Sequence, residues 1–234
     1  MKKIIKKFKA KADLMFKDPA VNPDCAEFEV DNWLLSDFII SKLLDIVDIR
    51  PFPLNELMLM TATVCRLKPT HIFEWGTNIG VSARIFFETT KHFKIKTEIH
   101  SIDLPDTVEH QEHPHKDRGK LVKGFEGVFL HQGDGLDKSL ELLKQNNIEK
   151  RVLFFLDGDH SYESVKRELS AIITAIPDAW ILIHDTFYQA EESNYNIGPY
   201  KAVSDFLSGT DNLYKIYSQN LGLPGMTLLY KKFD

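Results

Sequence analysis

The chain has 234 residues, of which 43% are hydrophobic and 27% charged, so it suits one soluble α/β domain with a small addition. Its formal net charge of -5 provides no overall basic surface, and we expect no nucleic-acid partner. No apolar run reaches membrane-spanning length, the first residues lack the features of a signal peptide, and Cys25 and Cys65 lack metal-type spacing, which together predict a cytoplasmic protein.

Residues 1–17 interleave lysines with apolar side chains, a pattern that predicts an amphipathic helix. Two interpretations remain open. The basic face could make peripheral contact with an anionic membrane surface. Alternatively, the apolar face could dock on the rest of the chain or on a second subunit of a homo-oligomer.

Two further helices are predicted before the first core strand. Residues 32–47 carry apolar side chains on one face, and residues 55–67 form a second apolar helix that ends before Pro69. We therefore divide the chain into an N-terminal helical extension, residues 1–52, and a main domain, residues 53–234.

A glycine-containing turn follows the first predicted strand, His71 to Trp75. Gly76 and Gly80 let the backbone turn sharply and lie close to a ligand, and a helix begins after them. The spacing is E-x-G-x-x-x-G rather than the G-x-G-x-x-G of dinucleotide-binding loops. The acid, Glu74, suits a cationic and hydroxyl-rich ligand better than a phosphate.

This loop resembles the first motif of class I S-adenosylmethionine-dependent methyltransferases. The resemblance implies S-adenosylmethionine as the cofactor, because that molecule carries an ammonium, a sulfonium and a ribose but no phosphate. Glu74 would face the ammonium, directly or through water. The cofactor-binding residues implied in this stretch are Glu74, Gly76, Thr77, Gly80 and Ser82.

Apolar runs separated by helical patterns continue through the rest of the chain. The strands predicted after the first are residues 97–103, 128–132, 151–156, 179–183, 213–218 and 226–231. The last two have a short connection and are therefore antiparallel neighbours. The predicted fold class is α/β, with a Rossmann-like doubly wound seven-stranded sheet that is mostly parallel, an antiparallel C-terminal hairpin and N-terminal helices.

Acidic residues end the second and third predicted strands. Asp103 occupies the place where an acid bonds ribose hydroxyls in nucleoside-binding α/β folds. Asp134, in Gly-Asp-Gly, would lie by the adenine edge of the cofactor. The alternative for Asp134 is a helix N-cap.

Acids and histidines also follow the two central strands, where the predicted reaction half of the site lies. Asp157 and Asp185 could together hold a divalent ion such as Mg²⁺, which would lower the pKa of an attacking hydroxyl. His160, on the turn after Asp157, is a suitable base for that hydroxyl. The alternative for His160 is a structural hydrogen bond to a backbone carbonyl.

The segment L-D-G-D-H-S-Y-E, which ends at Glu163, is followed one βα unit later by I-L-I-H-D, which ends at Asp185. These motifs resemble a methyltransferase group that includes cephalosporin hydroxylase-like proteins and macrolide-sugar O-methyltransferases. The resemblance extends from Pro53 to Tyr230 and includes the glycine loop and the segment L-P-G-M-T-L-L near the C-terminus.

That resemblance implies catalytic roles for His160 and Asp157, and metal ligation by Asp157, His184 and Asp185. His184 stands where sugar methyltransferases of the group often have an acid, and a histidine weakens a site for a hard cation. The implied function is O-methyl transfer to a hydroxyl of a sugar, glycan or natural product, with or without Mg²⁺.

Alternatives from other classes remain open at this point. One is a non-catalytic protein of the same fold that binds a nucleoside-like ligand or associates with a membrane. An NAD-linked oxidoreductase is disfavoured because the loop lacks the third-glycine pattern.

Overall fold

The computed structural model describes residues 18–20, 22, 25, 27–109, 114–148, 150–193, 195–209 and 214–231. The amphipathic helix predicted at residues 1–17 lies outside these residues, so its membrane and docking interpretations stay predictions. Within the described part of the chain, no helix combines the length and the apolar character that crossing a membrane requires.

The helices that precede the first strand follow the apolar pattern of the sequence. Helix α1 spans Asn32–Phe38 and continues through a π-helical turn, Ile39–Leu43, into α2, Leu44–Val47. Asp31 caps α1 by accepting hydrogen bonds from two backbone N–H groups. Helix α3 spans Leu54–Leu67 and is buried along most of its length.

Strands and helices then alternate. The strands are β1 (His71–Trp75), β2 (Glu98–Asp103), β3 (Val128–Gln132), β4 (Val152–Leu156), β5 (Trp180–His184), β6 (Lys215–Gln219) and β7 (Met226–Tyr230). The longer helices among them are α4 (Val81–His92), α5 (Gly135–Asn146), α6 (Tyr162–Ala175) and α7 (Gly198–Ser208).

The seven strands form one sheet in the order β3-β2-β1-β4-β5-β7-β6. Strands β1 to β5 pair in parallel, whereas β7 runs antiparallel to both β5 and β6. The predicted doubly wound sheet with an antiparallel C-terminal hairpin is therefore confirmed. Because the order reverses between β1 and β4, a crevice opens at their carboxyl ends, where such folds bind ligands.

Two apolar layers hold the sheet. On one face, helices α1 to α4 pack on strand residues through a core that includes Leu57, Phe86 and Phe155. On the other face, α5 to α7 pack through a core that includes Phe154 and Leu169. Strand β4 lies between the two layers and is buried at every residue, which explains its uninterrupted apolar run.

Candidate functional site

The glycine loop connects β1 to α4 and lies directly against the end of β4. Gly76 has a φ of +85°, and a Cβ added there would lie 2.2 Å from the carbonyl oxygen of Asp157. Gly80 has a φ of +93°, and its added Cβ would lie 3.1 Å from a Val122 methyl. Both glycines are therefore required by backbone conformation and by close packing.

Glu74 holds the base of this loop together. Its carboxylate is fully buried and accepts hydrogen bonds from the hydroxyls of Ser82 and Ser101. Ser101 also lies 2.6 Å from the Thr77 hydroxyl, so three predicted cofactor residues share one buried network. Burial raises the pKa of Glu74 to about 7. The carboxylate faces this network rather than the open crevice, and its contact with a cofactor stays a prediction.

Asp103, at the end of β2, contacts the same loop. It accepts hydrogen bonds from the backbone N–H of Asn78, at 2.9 Å, and of Leu104, at 2.8 Å. Arg118 Nε lies 3.9 Å from the Asp103 carboxylate. The acid predicted to hold the ribose therefore lies beside the glycine loop, as that role requires, and the ribose contact itself stays a prediction.

Asp134 caps helix α5. Its side chain accepts a hydrogen bond from the backbone N–H of Asp137 at 2.9 Å and pairs with Arg167 at 2.8 Å. Of the two interpretations of Asp134, the capping role is the one visible in these contacts. Contact with an adenine edge stays a prediction.

Asp157 and His184 meet where β4 and β5 end. Asp157 Oδ1 lies 2.8 Å from His184 Nδ1, and the other ring nitrogen, Nε2, lies 3.1 Å from Glu56 Oε2 on α3. Burial alone would lower the pKa of His184, but the carboxylates of Asp157, Glu56 and Asp185 raise that pKa well above its usual range. These carboxylates therefore favour the protonated form of the ring, which lies buried between them.

Asp185 contacts a second group of polar side chains. Its Oδ2 lies 3.1 Å from His160 Nδ1, and it accepts hydrogen bonds from the Tyr195 hydroxyl at 2.9 Å and from Asn196 Nδ2 at 2.6 Å. Asp185 has a φ of +57° and is buried. A carboxylate on Nδ1 leaves Nε2 of His160 as the nitrogen that can take up a proton.

The donor atoms of Asp157, His184 and Asp185 all lie within 4.8 Å of one another. The structure thus brings together the three side chains that the sequence predicted as a metal set. It also places His160 beside Asp185. The predicted reaction half of the site is therefore one connected cluster.

His160 also lines an open cavity of about 580 Å³. A cavity of this volume suits a small ligand. Its walls come from the turn after β4, the loop after β5 and helix α7. The lining residues are His160, Ser161, Tyr162, Tyr195, Asn196, Ile197, Gly198, Lys201 and Asp205.

The model of the rhamnosyl O-methyltransferase/CmcI family matches residues 47–222 of the chain. The chain belongs to this family. The resemblance seen in the sequence is confirmed, and the protein is an S-adenosylmethionine-dependent methyltransferase. Family membership favours an enzyme over the non-catalytic alternative. No curated protein matches the sequence significantly.

Solved structures similar to this methyltransferase share its fold. The O-methyltransferase TomG from Streptomyces achromogenes, in complex with SAM, is 14% identical, with 96% of this chain and 95% of that chain covered and a TM-score of 0.55. The O-methyltransferase from Bacillus cereus, in complex with SAH, is also 14% identical, with 86% and 96% covered and a TM-score of 0.55. CalS11, described as a TDP-rhamnose 3'-O-methyltransferase, is 18% identical, with 83% and 86% covered and a TM-score of 0.54.

Several site residues of the methyltransferase were missed in the sequence. Glu56 stands in the first turn of α3, where an acid is ordinarily explained by the helix dipole. Its one signal is that apolar residues follow it directly, from Leu57 to Met60. Asn196 lies in an irregular loop, and Arg118 follows a polar stretch, so no periodicity pointed to them. Tyr195, in the same loop, has an aromatic face that suits a sugar ring, but no sequence signal predicted its hydrogen bond to Asp185.

Proposed function

We propose that this methyltransferase transfers the methyl group of S-adenosylmethionine to a hydroxyl of a sugar, either free, nucleotide-linked or part of a glycan or natural product. The observation that carries the proposal is the 3.1 Å contact of Asp185 with His160, a residue that lines the cavity. The acceptor class is supported by the family description and by the name of CalS11.

The cofactor half of the proposal rests on the loop after β1. Gly76 and Gly80 would let the backbone lie against the methionine portion, with Thr77 in the same loop and Ser82 in the first turn of α4. Glu74 would act by fixing the loop from below, because its carboxylate is held by Ser82 and Ser101. Further along the crevice, Asp103 would bond the ribose and Asp134 would border the adenine.

His160 would be the general base. Because Nδ1 lies 3.1 Å from Asp185 Oδ2, a neutral His160 would carry its proton on Nδ1 and keep a lone pair on Nε2. Nε2 would accept the proton of the acceptor hydroxyl. At the same time the hydroxyl oxygen would attack the methyl carbon, and the bond between that carbon and the sulfonium sulfur would break. Tyr195 and Asn196 would hold the Asp185 carboxylate in place by donating hydrogen bonds to it.

The cavity wall suits a sugar. Tyr162 and Tyr195 offer aromatic faces, while Asn196, Lys201 and Asp205 offer polar groups that hydroxyls can bond. Asp205 already accepts a hydrogen bond from the Tyr162 hydroxyl at 2.8 Å, which fixes both side chains. Alignment of the acceptor against the methyl group would supply much of the rate enhancement.

A divalent ion fits the donor set of Asp157, His184 and Asp185. With Nε2 of His184 held by Glu56, Nδ1 is the ring nitrogen that would face such an ion, and His184 would ligate it only as the neutral ring. A nitrogen donor suits Mn²⁺ better than Mg²⁺. When bound, the ion would lower the pKa of the acceptor hydroxyl.

The test is a methyl-transfer assay with labelled S-adenosylmethionine and a panel of nucleotide-linked and free deoxysugars. His160→Ala is expected to lower kcat by about 10²-fold or more, with the Kd for S-adenosylmethionine unchanged. The control is Glu163→Ala, which should leave kcat unchanged, because Glu163 is exposed and lies in the first turn of α6. Undiminished turnover by His160→Ala would contradict the assignment of the base.

The ion is tested separately by chelation. EDTA is expected to lower turnover without weakening cofactor binding, and Mn²⁺ or Mg²⁺ should restore it. Full turnover of protein shown by elemental analysis to be metal-free would remove the ion from the mechanism. Catalysis would then rest on hydrogen bonds from Asp157, His160 and Asp185 alone.

A further inference from the structure

A second group of potential metal ligands lies at the opposite end of the sheet from the crevice. His71 is the first residue of β1, and Glu98 is the first residue of β2. The register pairs His71 with Glu98 and Phe73 with His100, so all three ligand side chains project from the same face. We call His71, Glu98 and His100 the β1–β2 cluster.

Each histidine of the β1–β2 cluster has one ring nitrogen occupied. His71 Nδ1 lies 3.0 Å from the Thr70 hydroxyl, and His100 Nδ1 lies 3.1 Å from His131 Nε2. The two remaining nitrogens, both Nε2, lie 3.8 Å from the same oxygen, Oε2 of Glu98. Such hydrogen bonds on Nδ1 are the usual way in which proteins orient histidine ligands.

His100 Nε2 is a buried nitrogen without a hydrogen-bond partner within the described part of the chain. The residue is only 5% exposed. A buried polar group of this kind is costly and needs an explanation. The nitrogen is aimed at the carboxylate of Glu98, so a cation between them would satisfy both groups.

The His100 ring cannot easily turn away to find another partner. It stacks between Phe73, with ring centroids 4.9 Å apart and planes at 13°, and Phe129, at 5.1 Å and 18°. Stacking on both sides holds the ring in the plane that directs Nε2 towards Glu98. The ligand nitrogen is therefore fixed in advance, which reduces the entropy that binding must overcome.

We propose that the β1–β2 cluster binds a divalent transition-metal ion, with Zn²⁺ as the ion that fits its chemistry. The ligands are Nε2 of His71, Nε2 of His100 and Oε2 of Glu98, the imidazole and carboxylate donors that zinc prefers. The Glu98 side chain is 56% exposed, so an ion can enter and a water molecule can complete the coordination.

The three ligand atoms lie within 4.8 Å of one another and would move closer together around an ion. Ligand atoms around tetrahedral zinc lie about 3.3 Å apart, because the bonds are about 2.0–2.1 Å long. The contacts of 3.8 Å between Glu98 and each histidine can shorten by rotation of the exposed glutamate.

The ion would join β1 to β2 at their amino ends, away from the crevice. It would therefore stabilise the sheet beneath the glycine loop rather than take part in methyl transfer. This proposal does not depend on the acceptor, the base or the crevice ion proposed above.

The test compares Zn²⁺ binding by metal-free wild-type protein, His71→Ala and Glu98→Gln, using competition with a chromophoric chelator. Each variant is expected to lose one Zn²⁺ per chain or to bind it at least about tenfold more weakly. His92→Ala and Glu141→Gln, which lie outside the cluster, serve as matched controls and should bind as the wild type does. Binding by the crevice would persist in all four variants, so the two sites are distinguished.

A second measurement distinguishes loss of the metal site from loss of the folded structure. Zn²⁺ should raise the Tm of the wild-type protein, and this increase should be absent or smaller in Glu98→Gln, whose side chain has the same shape. If both cluster variants bind Zn²⁺ with the wild-type stoichiometry and affinity, the proposal is wrong.

Discussion

Glu56 and His184 are 128 residues apart in the sequence, yet Oε2 of the first lies 3.1 Å from Nε2 of the second. The other oxygen of Glu56, Oε1, accepts a hydrogen bond of 2.8 Å from the backbone N–H of Gly225, before β7. One buried carboxylate thus joins α3, the end of β5 and the C-terminal hairpin. It also fixes the ring that faces Asp157.

Removal of this carboxylate should destabilise the protein strongly. Glu56→Ala leaves the buried ring of His184 and the N–H of Gly225 without their partner, and we expect a loss of about 3–5 kcal/mol in the free energy of unfolding. Glu56→Gln keeps one acceptor and should cost less, about 1–3 kcal/mol. Urea unfolding measures both.

The matched control for Glu56→Ala is Glu163→Ala, which removes an exposed carboxylate from the first turn of α6. Its effect should stay within about 0.5 kcal/mol. If Glu56→Ala is no more destabilising than this control, the buried contact does not support the fold.

The glycine loop offers a test of close packing. Gly76→Ala forces a Cβ to within 2.2 Å of the Asp157 carbonyl oxygen at a φ of +85°, so the loop must move. We expect S-adenosylmethionine binding to weaken at least about tenfold, because the close backbone approach is lost. Isothermal titration calorimetry measures the change.

Gly158→Ala is the control for this substitution. Gly158 is close to the same loop, but its added Cβ would have its nearest neighbour at 3.6 Å, an ordinary contact. Equal weakening by the two substitutions would show that crowding at Gly76 is not the cause.

Glu74 should make stability depend on pH. Its pKa rises from 4.5 to about 7 in the folded chain, so between these values the folded state holds more protons than the unfolded state. The free energy of unfolding therefore falls as pH rises through this window, by about 3 kcal/mol in total from this group. Below the window the contribution is fully present, and above pH 7 it is lost.

Glu74→Gln removes the titration while it preserves the shape of the side chain. The stability of the variant relative to wild type should therefore increase between pH 5 and pH 8, by up to about 3 kcal/mol. Urea unfolding at the two pH values gives this difference. If the difference in stability between Glu74→Gln and the wild type is the same at pH 5 and at pH 8, the raised pKa of Glu74 is contradicted.

Tyr195 should matter through Asp185. Tyr195→Phe removes the hydroxyl that donates to the buried carboxylate at 2.9 Å, so we expect kcat to fall and stability to drop by about 1–3 kcal/mol. Tyr188→Phe is the control, since Tyr188 is exposed and packs on Tyr200. If the two substitutions have the same effect on kcat, the hydrogen bond to Asp185 does not assist the reaction.

The strands of this fold could be predicted because each one is a short apolar run between turn signals. The predicted limits of β1 and β3 agree with the structure, and β5 extends one residue further than predicted, to His184. The row of strand-end residues was predictable for the same reason, since parallel strands bring their carboxyl ends together.

The partners of those residues were not predictable from the sequence. Glu56 reaches His184 only because α3 packs across the end of β5, and Tyr195 reaches Asp185 through an irregular loop. Neither contact leaves a periodic signal. The buried state of Glu74 was hidden as well, because it depends on hydroxyls from α4 and β2.

The most direct test of the central claim is calorimetric titration of the folded protein with S-adenosylmethionine, alongside NAD⁺ and the Gly76→Ala variant. We expect S-adenosylmethionine to bind the wild-type protein with one molecule per chain, NAD⁺ not to bind, and Gly76→Ala to weaken the binding of S-adenosylmethionine. A folded wild-type sample that fails to bind S-adenosylmethionine, or that binds NAD⁺ instead, would contradict this claim.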